Sequence, residues 1–336
     1  MTVVGPFGLS VRDQALEADV QAGLAAVEEG LLEATKSEVP FITQAAQHLV
    51  RAGGKRFRPL LVMLAARFGD PYAPGVVPSA VVVELTHLAT LYHDDVMDEA
   101  AVRRGVPSAN ARWGNSVAVL TGDFLFARAS HILADLGPEA VRVQAEAFER
   151  LVTGQILETA GPADGRDPVE HYLDVLAGKT GSLVAVSCRF GAMMSGADET
   201  VVDVLTQYGE RLGVAFQLAD DVLDIASDSH ESGKTPGTDL REGIPTMPVL
   251  RLREMAARDG RAEDIALREL LDSDLGDDAR HAEALTALRA HPALQQARRD
   301  TVRYAQDARA ALAPLRDCDA KAALVELCDA VVHRAG

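Results

Sequence analysis

Asp94-Asp95-Val96-Met97-Asp98 and Asp220-Asp221-Val222-Leu223-Asp224 are two copies of one pattern, Asp-Asp-x-x-Asp, each inside a strongly apolar stretch. On a helix, the first and fifth residues of this pattern lie on one face with the second beside them. Six carboxylates on two helices need cations, because unpaired buried charge is costly. Oxygen ligands without cysteine favour Mg²⁺, which usually completes its shell with substrate phosphates. Two solvated acidic helix ends are the simpler alternative, but acidic groups favour helix N-termini and these lie deep in apolar segments.

The rest of the 336-residue chain predicts an all-α protein. Hydrophobic residues make up 48% of it and aromatic residues only 4%, which is typical of a closely packed helical core. Alternating strand patterns are absent, and no linker rich in proline, serine or glycine divides the chain. We therefore expect a single domain over residues 1–336, with residues 1–36 as an N-terminal helical extension.

Within that domain, the apolar periodicity predicts helices over residues 76–98, 115–136 and 200–225. Each acidic motif ends one of the long helices. Residues 227–248 are rich in glycine, proline, serine and threonine and predict a long functional loop.

Charge and cysteine content exclude several classes of function. The formal net charge of −17 argues against nucleic acid as a partner. Cys188, Cys318 and Cys328 are odd in number and follow no pattern, which indicates neither a disulfide framework nor a zinc site and favours a cytoplasmic location. No segment has about 18 uninterrupted apolar residues, and the N-terminus lacks a signal-peptide pattern, so we expect no integral membrane segment.

Four clusters of cationic or hydrogen-bond-donating groups accompany the carboxylates. The first, Gly53-Gly54-Lys55-Arg56-Phe57-Arg58, combines flexible backbone with three cations at a helix start and suits a diphosphate. The others are Arg103-Arg104, Lys179-Thr180-Gly181, and the loop residues Lys234 and Asp239. Any one of them alone is consistent with an ordinary surface. Together they suit two polyphosphate groups, one bound through metal and the other by lysine and arginine.

The order of these motifs resembles that of the trans-isoprenyl diphosphate synthases, the polyprenyl synthetase family, over about Gly53 to Pro248. The residues that carry the resemblance are Gly-Gly-Lys-Arg-x-Arg-Pro from Gly53, His87-x5-His93-Asp-Asp-x-x-Asp-x4-Arg-Arg-Gly, Gly122-Asp123-x-Leu125, Lys179-Thr180, Phe216-Gln217-x-x-Asp-Asp-x-x-Asp, and Lys234-x-x-Gly237-x-Asp239.

The resemblance implies a bundle of antiparallel helices around a central cavity, the isoprenoid synthase fold, with the two acidic motifs facing each other. It implies three Mg²⁺ ions on the diphosphate of an allylic substrate. The metal ligands would be the six aspartates, which with Lys179 are also the expected catalytic residues: Asp94, Asp95, Asp98, Asp220, Asp221 and Asp224. The allylic diphosphate would contact Arg103, Lys179, Thr180, Gln217 and Lys234. Isopentenyl diphosphate would be bound by Lys55, Arg58, His87 and Arg104.

By the same resemblance, the chain is a prenyltransferase. The allylic diphosphate ionises, the double bond of isopentenyl diphosphate attacks the cation, and a proton is lost. Positive groups stabilise the leaving diphosphate, while apolar walls keep water from the cation. Arg56 lies inside a motif without a clear role. Ile244 stands where many relatives carry lysine, which leaves one fewer cation near that loop, although Lys234 is present.

The residues one and two turns before the first acidic motif predict the product length. Thr90, Ala89 and Thr86 are small, where short-chain relatives tend to place an aromatic ring. One isoprene unit is about as long as one helical turn, roughly 5.4 Å. We therefore expect an open tunnel and a product of six or more units, such as a quinone side-chain precursor. Geranylgeranyl or farnesyl diphosphate is the alternative if Phe124 or Phe126 closes the tunnel.

Other readings fit the motifs less well. A class I terpene cyclase would carry a different second metal motif and needs no isopentenyl site. A di-iron carboxylate bundle needs a second Glu-x-x-His besides Glu84-x-x-His87. A non-catalytic regulatory subunit would be expected to lose the acidic motifs. Finally, the family suggests a homodimer, for which the apolar segment from Gly122 to Ala134 is the candidate interface.

Overall fold

A computed structural model of the chain describes residues 14–227 and 236–335, and almost all of its regular structure is helical. The helices of the first half are α1 (Gln14–Ala34), α2 (Pro40–Ala46), α3 (His48–Arg51), α4 (Phe57–Ala66), α5 (Val76–Met97), α6 (Ala109–Trp113), α7 (Asn115–Leu136) and α8 (Pro138–Ala160). Those of the second half are α9 (Pro168–Leu176), a π-helical turn (Ala177–Gly181), α10 (Ser182–Met194), α11 (Glu199–Ala226), α12 (Thr238–Arg241), α13 (Met247–Asp259), α14 (Ala262–Leu271), α15 (Asp278–Ala290), α16 (Pro292–Ala311) and α17 (Asp319–Ala335).

These elements divide into two compact units. The first comprises the described residues up to 149 together with 182–209 and 311–326. It is built around α5, which packs against α1, α4, α7 and α10. Every residue of α5 from Ser79 to Ala89 except His87 is buried, as expected for a helix at the centre of a core. The first acidic motif stands at the C-terminal end of this helix.

Close packing in the first unit depends on glycine. A Cβ atom on Gly191 of α10 would lie 2.3 Å from the carbonyl oxygen of Val62 on α4. A Cβ atom on Gly122 of α7 would lie 2.3 Å from Nε2 of His93 on α5. Both distances are far below van der Waals contact, so only glycine allows these pairs of helices to approach so closely.

The second unit comprises residues 150–181, the described part of 210–310, and the chain from 327. In it α13 packs against α9 and α14, and α12 packs against α15. The end of α8 closely approaches the π-helical turn, because a Cβ atom on Gly154 would lie 2.6 Å from the backbone nitrogen of Lys179. The second acidic motif lies in the last two turns of α11.

The all-α prediction is confirmed, with two local differences. The polar loop after the first acidic motif forms a short antiparallel ribbon, in which β1 (Val102–Arg103) pairs with β2 (Val106–Pro107). The loop predicted over residues 227–248 contains the short helix α12, because Asp224 accepts hydrogen bonds from backbone N–H groups at its start. The single-domain assignment stays a prediction, and residues 1–13 of the expected N-terminal extension lie outside the described residues.

Helix α7 is the one described helix long and apolar enough, by length and composition alone, to cross a membrane. Core helices of globular proteins meet the same criterion, and α7 packs along α5 and α6. Its other side exposes Val119 and Leu120, the latter 66% exposed, beside the charged Asp123. The helix therefore has one packed side and one mixed apolar and polar side.

Candidate active site

The first acidic motif places three carboxylates at the end of α5, and Arg103 contacts two of them. Asp95 has no exposed surface, Asp94 is half-buried, and Asp98 caps the end of α5 and is exposed. Arg103 on β1 donates from Nε to Oδ1 of Asp95 at 2.6 Å, and its Nη2 lies 3.9 Å from Oδ2 of Asp98. The C-terminal end of a helix already carries partial negative charge. Three carboxylates at that end of α5 therefore favour a cation nearby.

Asp95 is the residue of this motif that best fits a metal ion. Burial raises the pKa of its carboxyl above the usual value, although the ion pair with Arg103 acts in the opposite direction. Its second oxygen, Oδ2, is buried and has no hydrogen-bond partner within the described parts of the chain. Buried polar atoms normally have a partner, and carboxylate oxygens are the ligands that Mg²⁺ prefers. The first motif therefore fits the predicted magnesium site.

The described side chains do not provide a complete set of ligands for a metal ion at any single site. Within residues 14–227 and 236–335, no group of three or more histidine, cysteine or acidic side chains is arranged to hold an ion alone. Mg²⁺ usually keeps several waters and binds one or two carboxylates plus substrate phosphates. The carboxylates of each motif suit an ion that arrives with a phosphorylated ligand.

Beside α5, buried arginines form a cationic cluster with His87 and Glu84. Burial lowers the pKa of Arg58 to about 10; Glu84 opposes this shift and Arg104 adds to it. Burial also lowers the pKa of His87 well below its usual value, and the charges of Arg58 and Arg104 lower it further. Nε of Arg58 is buried without a hydrogen-bond partner in the described residues. The cluster thus has a neutral histidine and an arginine donor available for an anion.

Arg56 has a structural role in this cluster. Its Nη1 donates to Glu84 at 2.9 Å, and its Nη2 donates to Glu28 at 3.0 Å and to the carbonyl oxygen of Val50 at 3.1 Å. These contacts balance the charge of Arg56 and fasten the turn before α4 to α1 and α5. Glu84 also attracts Arg58 and Arg104, and its carboxylate lies 3.8 Å from Nη2 of Arg104.

The Gly53-Gly54 turn brings Arg104 into the cluster. Arg104 donates to the carbonyl oxygens of Leu49, at 3.1 Å, and Gly53. A Cβ atom on Gly54 would lie 2.9 Å from the guanidinium carbon of Arg104, and the φ angle of Gly54 is +154°. Glycine is therefore required here for space and for backbone conformation. Lys55 is exposed on the same turn, so the structure brings Arg58, His87 and Arg104 together and places Lys55 on the adjoining surface.

In the second unit, Asp221 is the buried aspartate of the second motif. It is 5% exposed, and burial raises the pKa of its carboxyl to about 6. The hydroxyl of Tyr172 on α9 donates to Oδ2, and the amide of Gln217 donates to Oδ1 at 3.0 Å. Gln217 in turn accepts a hydrogen bond from Thr180 at 3.2 Å. Predicted site residues from the π-helical turn and α11 are thus connected through one hydrogen-bonded chain.

Lys179 lies in the π-helical turn beside Thr180. Its ammonium donates to Glu158 of α8 at 2.6 Å, and both side chains are about one-third exposed. A π-helical turn inside a helical segment frequently marks a functional site. Here it places a cation and a hydroxyl side by side at the surface of the second unit.

Asp224 organises the loop that follows α11. Its carboxyl oxygens accept hydrogen bonds from the backbone N–H groups of Thr238 and Asp239, both at 3.3 Å. His281 of α15 has its Nε2 atom 2.8 Å from the carbonyl oxygen of Gly237 and fixes the same turn. The predicted ligand Lys234 lies outside the described residues.

Asp220, the first residue of the second motif, is paired with Arg334 of α17 at 2.7 Å. Ile244, which stands where relatives often carry lysine, is 37% exposed and donates its backbone N–H to the carbonyl oxygen of Asp239 at 2.9 Å. Lysine at this position would therefore reach solvent, and its absence leaves the backbone contact intact.

The three residues predicted to control product length differ in exposure. Ala89 has no exposed surface and Thr86 is 1% exposed, whereas Thr90 is half-buried. The hydroxyl of Thr86 donates to Val82 and accepts a hydrogen bond from the buried amide of Gln144 at 2.9 Å. Thr90 is therefore the one of the three with surface open to a ligand, and the tunnel itself stays a prediction.

The aromatic residues named as a possible tunnel floor lie on α7. The Phe126 ring packs 4.5 Å from Phe148 of α8 and 5.8 Å from His93. His93 also lies 3.1 Å from the carbonyl oxygen of Val119, so it packs against α7. Phe124 lies under the guanidinium of Arg128, 6.0 Å from the ring centre.

Several site residues were missed by sequence reasoning. They are the partners of the predicted residues: Glu28, Glu84, Asn110, Glu158, Tyr172, Arg334. Glu84 had a detectable signal, since a lone acid inside an apolar helix near a basic motif needs a cationic partner. The others come from distant segments without a local pattern.

Comparison with known proteins gives consistent matches. Residues 39–288 match the family described as Polyprenyl synthetase. Nonaprenyl diphosphate synthase of Mycobacterium tuberculosis is 48% identical over 330 residues, which cover 98% of this chain and 97% of that protein.

Two solved structures resemble the whole chain. Geranylgeranyl pyrophosphate synthase of Corynebacterium glutamicum, complexed with calcium and isoprenyl diphosphate, has a TM-score of 0.87 and 44% identity, and the match covers 97% of this chain and 99% of that one. A decaprenyl diphosphate synthase of Rhodobacter capsulatus has a TM-score of 0.86 and 36% identity, with 96% and 99% covered.

Proposed function

The chain belongs to the polyprenyl synthetase family, and we propose that it is a transferase that adds isopentenyl units to an allylic diphosphate to give a long all-trans polyprenyl diphosphate. The observation that carries this proposal is the pairing of two kinds of anion-binding chemistry. One is a set of carboxylates that suit a divalent cation, and the other is a cluster of three arginines that outnumber the two glutamates beside them. A reaction between two diphosphates requires both.

Each acidic motif supplies ligands for Mg²⁺, three ions in all by family resemblance. Bound Mg²⁺ would neutralise the charge that develops on the leaving diphosphate. Asp95 and Asp221 carry the main support, because their burial disfavours the ionised form unless a cation is near. Arg103, Lys179, Thr180, Gln217 and Lys234 would contact the same allylic diphosphate. Of these, Arg103 contacts Asp95 and Gln217 contacts Asp221, while Thr180 donates to Gln217.

Arg58, Arg104, His87 and Lys55 would bind isopentenyl diphosphate without a metal. The two buried arginines and one glutamate leave net positive charge, and the donor of Arg58 needs an acceptor. His87 is held neutral by its surroundings, so it donates a single hydrogen bond and contributes no charge of its own. A diphosphate supplies both the negative charge that balances the arginines and the oxygen acceptor that Nε of Arg58 needs.

The reaction breaks the carbon–oxygen bond of the allylic diphosphate and forms a carbon–carbon bond to the isopentenyl double bond. A proton then leaves from the carbon beside the new cation, and the departing diphosphate can accept it. The cationic side chains stabilise charge on the leaving group. The apolar core around α5 keeps water from the carbocation.

The long-chain assignment is supported by the similarity to the nonaprenyl and decaprenyl synthases and by the small residues Thr86, Ala89 and Thr90. A quinone side-chain precursor is the product class that such a length suits. Geranylgeranyl diphosphate synthesis is the second candidate, because a similar structure at 44% identity bears that name. The aromatic packing of Phe126 on Phe148 is the feature that would stop the chain early.

We also propose a cytoplasmic homodimer with an interface along the segment from Gly122 to Ala134. The exposed side of α7 supports this, since Leu120 and Val119 next to that segment leave apolar surface in contact with water. Light scattering at micromolar concentration should give twice the mass of one chain, and a single-chain mass would contradict the interface.

Turnover with defined substrates tests the function. Purified protein, isopentenyl diphosphate and farnesyl diphosphate should release pyrophosphate with Mg²⁺ and none with excess chelator. Asp94→Ala and Asp220→Ala should each lower turnover by orders of magnitude while keeping the helical circular dichroism signal. Turnover that persists in either variant with chelator present would refute the metal assignment.

A further inference from the structure

Arg334 near the end of α17 contacts the second acidic motif. Its Nη2 atom donates to Oδ1 of Asp220 at 2.7 Å, and its guanidinium carbon lies 4.7 Å from the ring centre of Phe216. Phe216 stands four residues before Asp220, so both partners lie on the same face of α11. The arginine is 25% exposed, and its two contacts fix the guanidinium beside the motif.

The other terminal nitrogen of Arg334 has a donor available. Nη1 is buried and has no hydrogen-bond partner among the residues that the structure describes. Buried donors without an acceptor are rare, and an arginine presents its donors as a planar fork suited to phosphate. Asp220 thus holds the guanidinium through Nη2, while Nη1 remains able to donate a hydrogen bond beside the motif.

We propose that Arg334 binds a substrate diphosphate at the second acidic motif, and that the C-terminal helix is thereby part of the active site. This inference rests on the proposed function. Asp220 orients the guanidinium, Phe216 supports its face, and Nη1 donates to a phosphate oxygen. A divalent ion on Asp220 would weaken the ion pair with Arg334, and the diphosphate then supplies the replacement negative charge.

Arg334 differs from the arginines of the first unit in what it can recognise. Arg58 and Arg104 share the negative charge of a glutamate that is not expected to bind metal. Arg334 instead pairs with a proposed metal ligand, so its contribution should depend on Mg²⁺. Dependence on Mg²⁺ therefore distinguishes diphosphate binding by Arg334 from diphosphate binding by the arginine cluster around His87.

The test measures binding of inorganic pyrophosphate by isothermal titration calorimetry with Mg²⁺ present and no turnover. Arg334→Met keeps a long apolar side chain on Phe216 but removes the charge and the donors. Arg334→Lys keeps the charge. Arg309→Met is the matched control, since Arg309 of α16 pairs with Asp329 of α17 at 3.3 Å on an exposed surface. Circular dichroism verifies that each variant is folded.

We expect Arg334→Met to weaken pyrophosphate binding at least about tenfold, the loss typical of one hydrogen bond to a charged group. Arg334→Lys should be intermediate, and Arg309→Met should match the wild type. An unchanged affinity in folded Arg334→Met would overturn the inference. So would a variant that only binds Mg²⁺ more tightly in the absence of pyrophosphate, because Arg334 would then serve as a counter-ion to Asp220 alone.

Steady-state kinetics identify which diphosphate is bound. A higher KM for the allylic primer in Arg334→Met, with little change for isopentenyl diphosphate, assigns Arg334 to the metal-bound group. The opposite bias assigns it to isopentenyl diphosphate and also supports the inference. If neither KM changes, Arg334 binds neither substrate. Failure of the wild type itself to turn over these substrates would refute the proposed function instead.

Discussion

Replacing Glu84 by glutamine should destabilise the protein and make its stability depend on anions. Glu84 is 2% exposed and accepts a hydrogen bond from Arg56 at 2.9 Å. Its carboxylate also lies 3.8 Å from Nη2 of Arg104 and raises the pKa of Arg58 against the effect of burial. Glutamine keeps the shape but removes a negative charge that all three arginines share.

The size of the effect follows from the burial of this pair. Removing one partner of a buried ion pair costs about 3–5 kcal/mol, because the other charge remains buried without compensation. Glu28 still pairs with Arg56, which places the expected loss near 3 kcal/mol. With an unfolding entropy of about 2.1 cal/mol/K per residue over the 336 residues of the chain, that corresponds to a decrease in Tm of about 4 °C.

Thermal unfolding followed by circular dichroism measures the change. Glu29→Gln is the control, because Glu29 is an exposed residue of α1 next to Glu28, and its Tm should stay within about 1 °C of the wild type. Added pyrophosphate without metal should restore more stability to Glu84→Gln than to the wild type, since the anion replaces the missing charge. A Glu84→Gln variant as stable as the control, or one that pyrophosphate stabilises no more than the wild type, would refute the assignment of an anion site.

Three further predictions concern the two motifs and the product. With chelator present, Asp221→Asn should raise Tm at pH 7.5 and have little effect at pH 4. The folded-state pKa of Asp221 is about 6, so the protonated carboxyl is compatible with burial, and the protein loses stability as pH rises through about 6 and the carboxyl ionises. An equal gain in Tm at both pH values would contradict the raised pKa. Arg58→Ala should raise the KM for isopentenyl diphosphate more than that for the primer, and Lys179→Ala the reverse, with equal effects on both substrates contradicting the assigned roles. Thr90→Phe should shorten the product to three or four isoprene units without abolishing condensation, since Thr90 has surface open to a ligand, and an unchanged product would place the length control elsewhere.

Helix positions and the acidic and basic motifs were predicted from the sequence better than the long-range contacts of those motifs. Apolar periodicity predicted the bounds of α5, α7 and α11 to within one residue. The acidic motifs and the Gly53-Gly54 turn were detectable because their chemistry depends on residues adjacent in the chain.

The partners of those motifs could not be predicted in the same way. Tyr172 and Arg334 contact Asp221 and Asp220 across 49 and 114 residues of sequence. Neither has a local pattern, and only tertiary packing brings it to the motif. The short helix α12 was missed for the same reason, since its first N–H groups are capped by Asp224, which lies before the loop.

The central claim is tested most directly by the length of the product that the wild-type protein makes. The purified protein would be incubated with Mg²⁺, isopentenyl diphosphate and farnesyl diphosphate, and the dephosphorylated products separated by reverse-phase chromatography. We expect a main product of six or more isoprene units. A product that ends at four units would contradict the long-chain assignment, and the absence of any condensation product would contradict the proposed function as a whole.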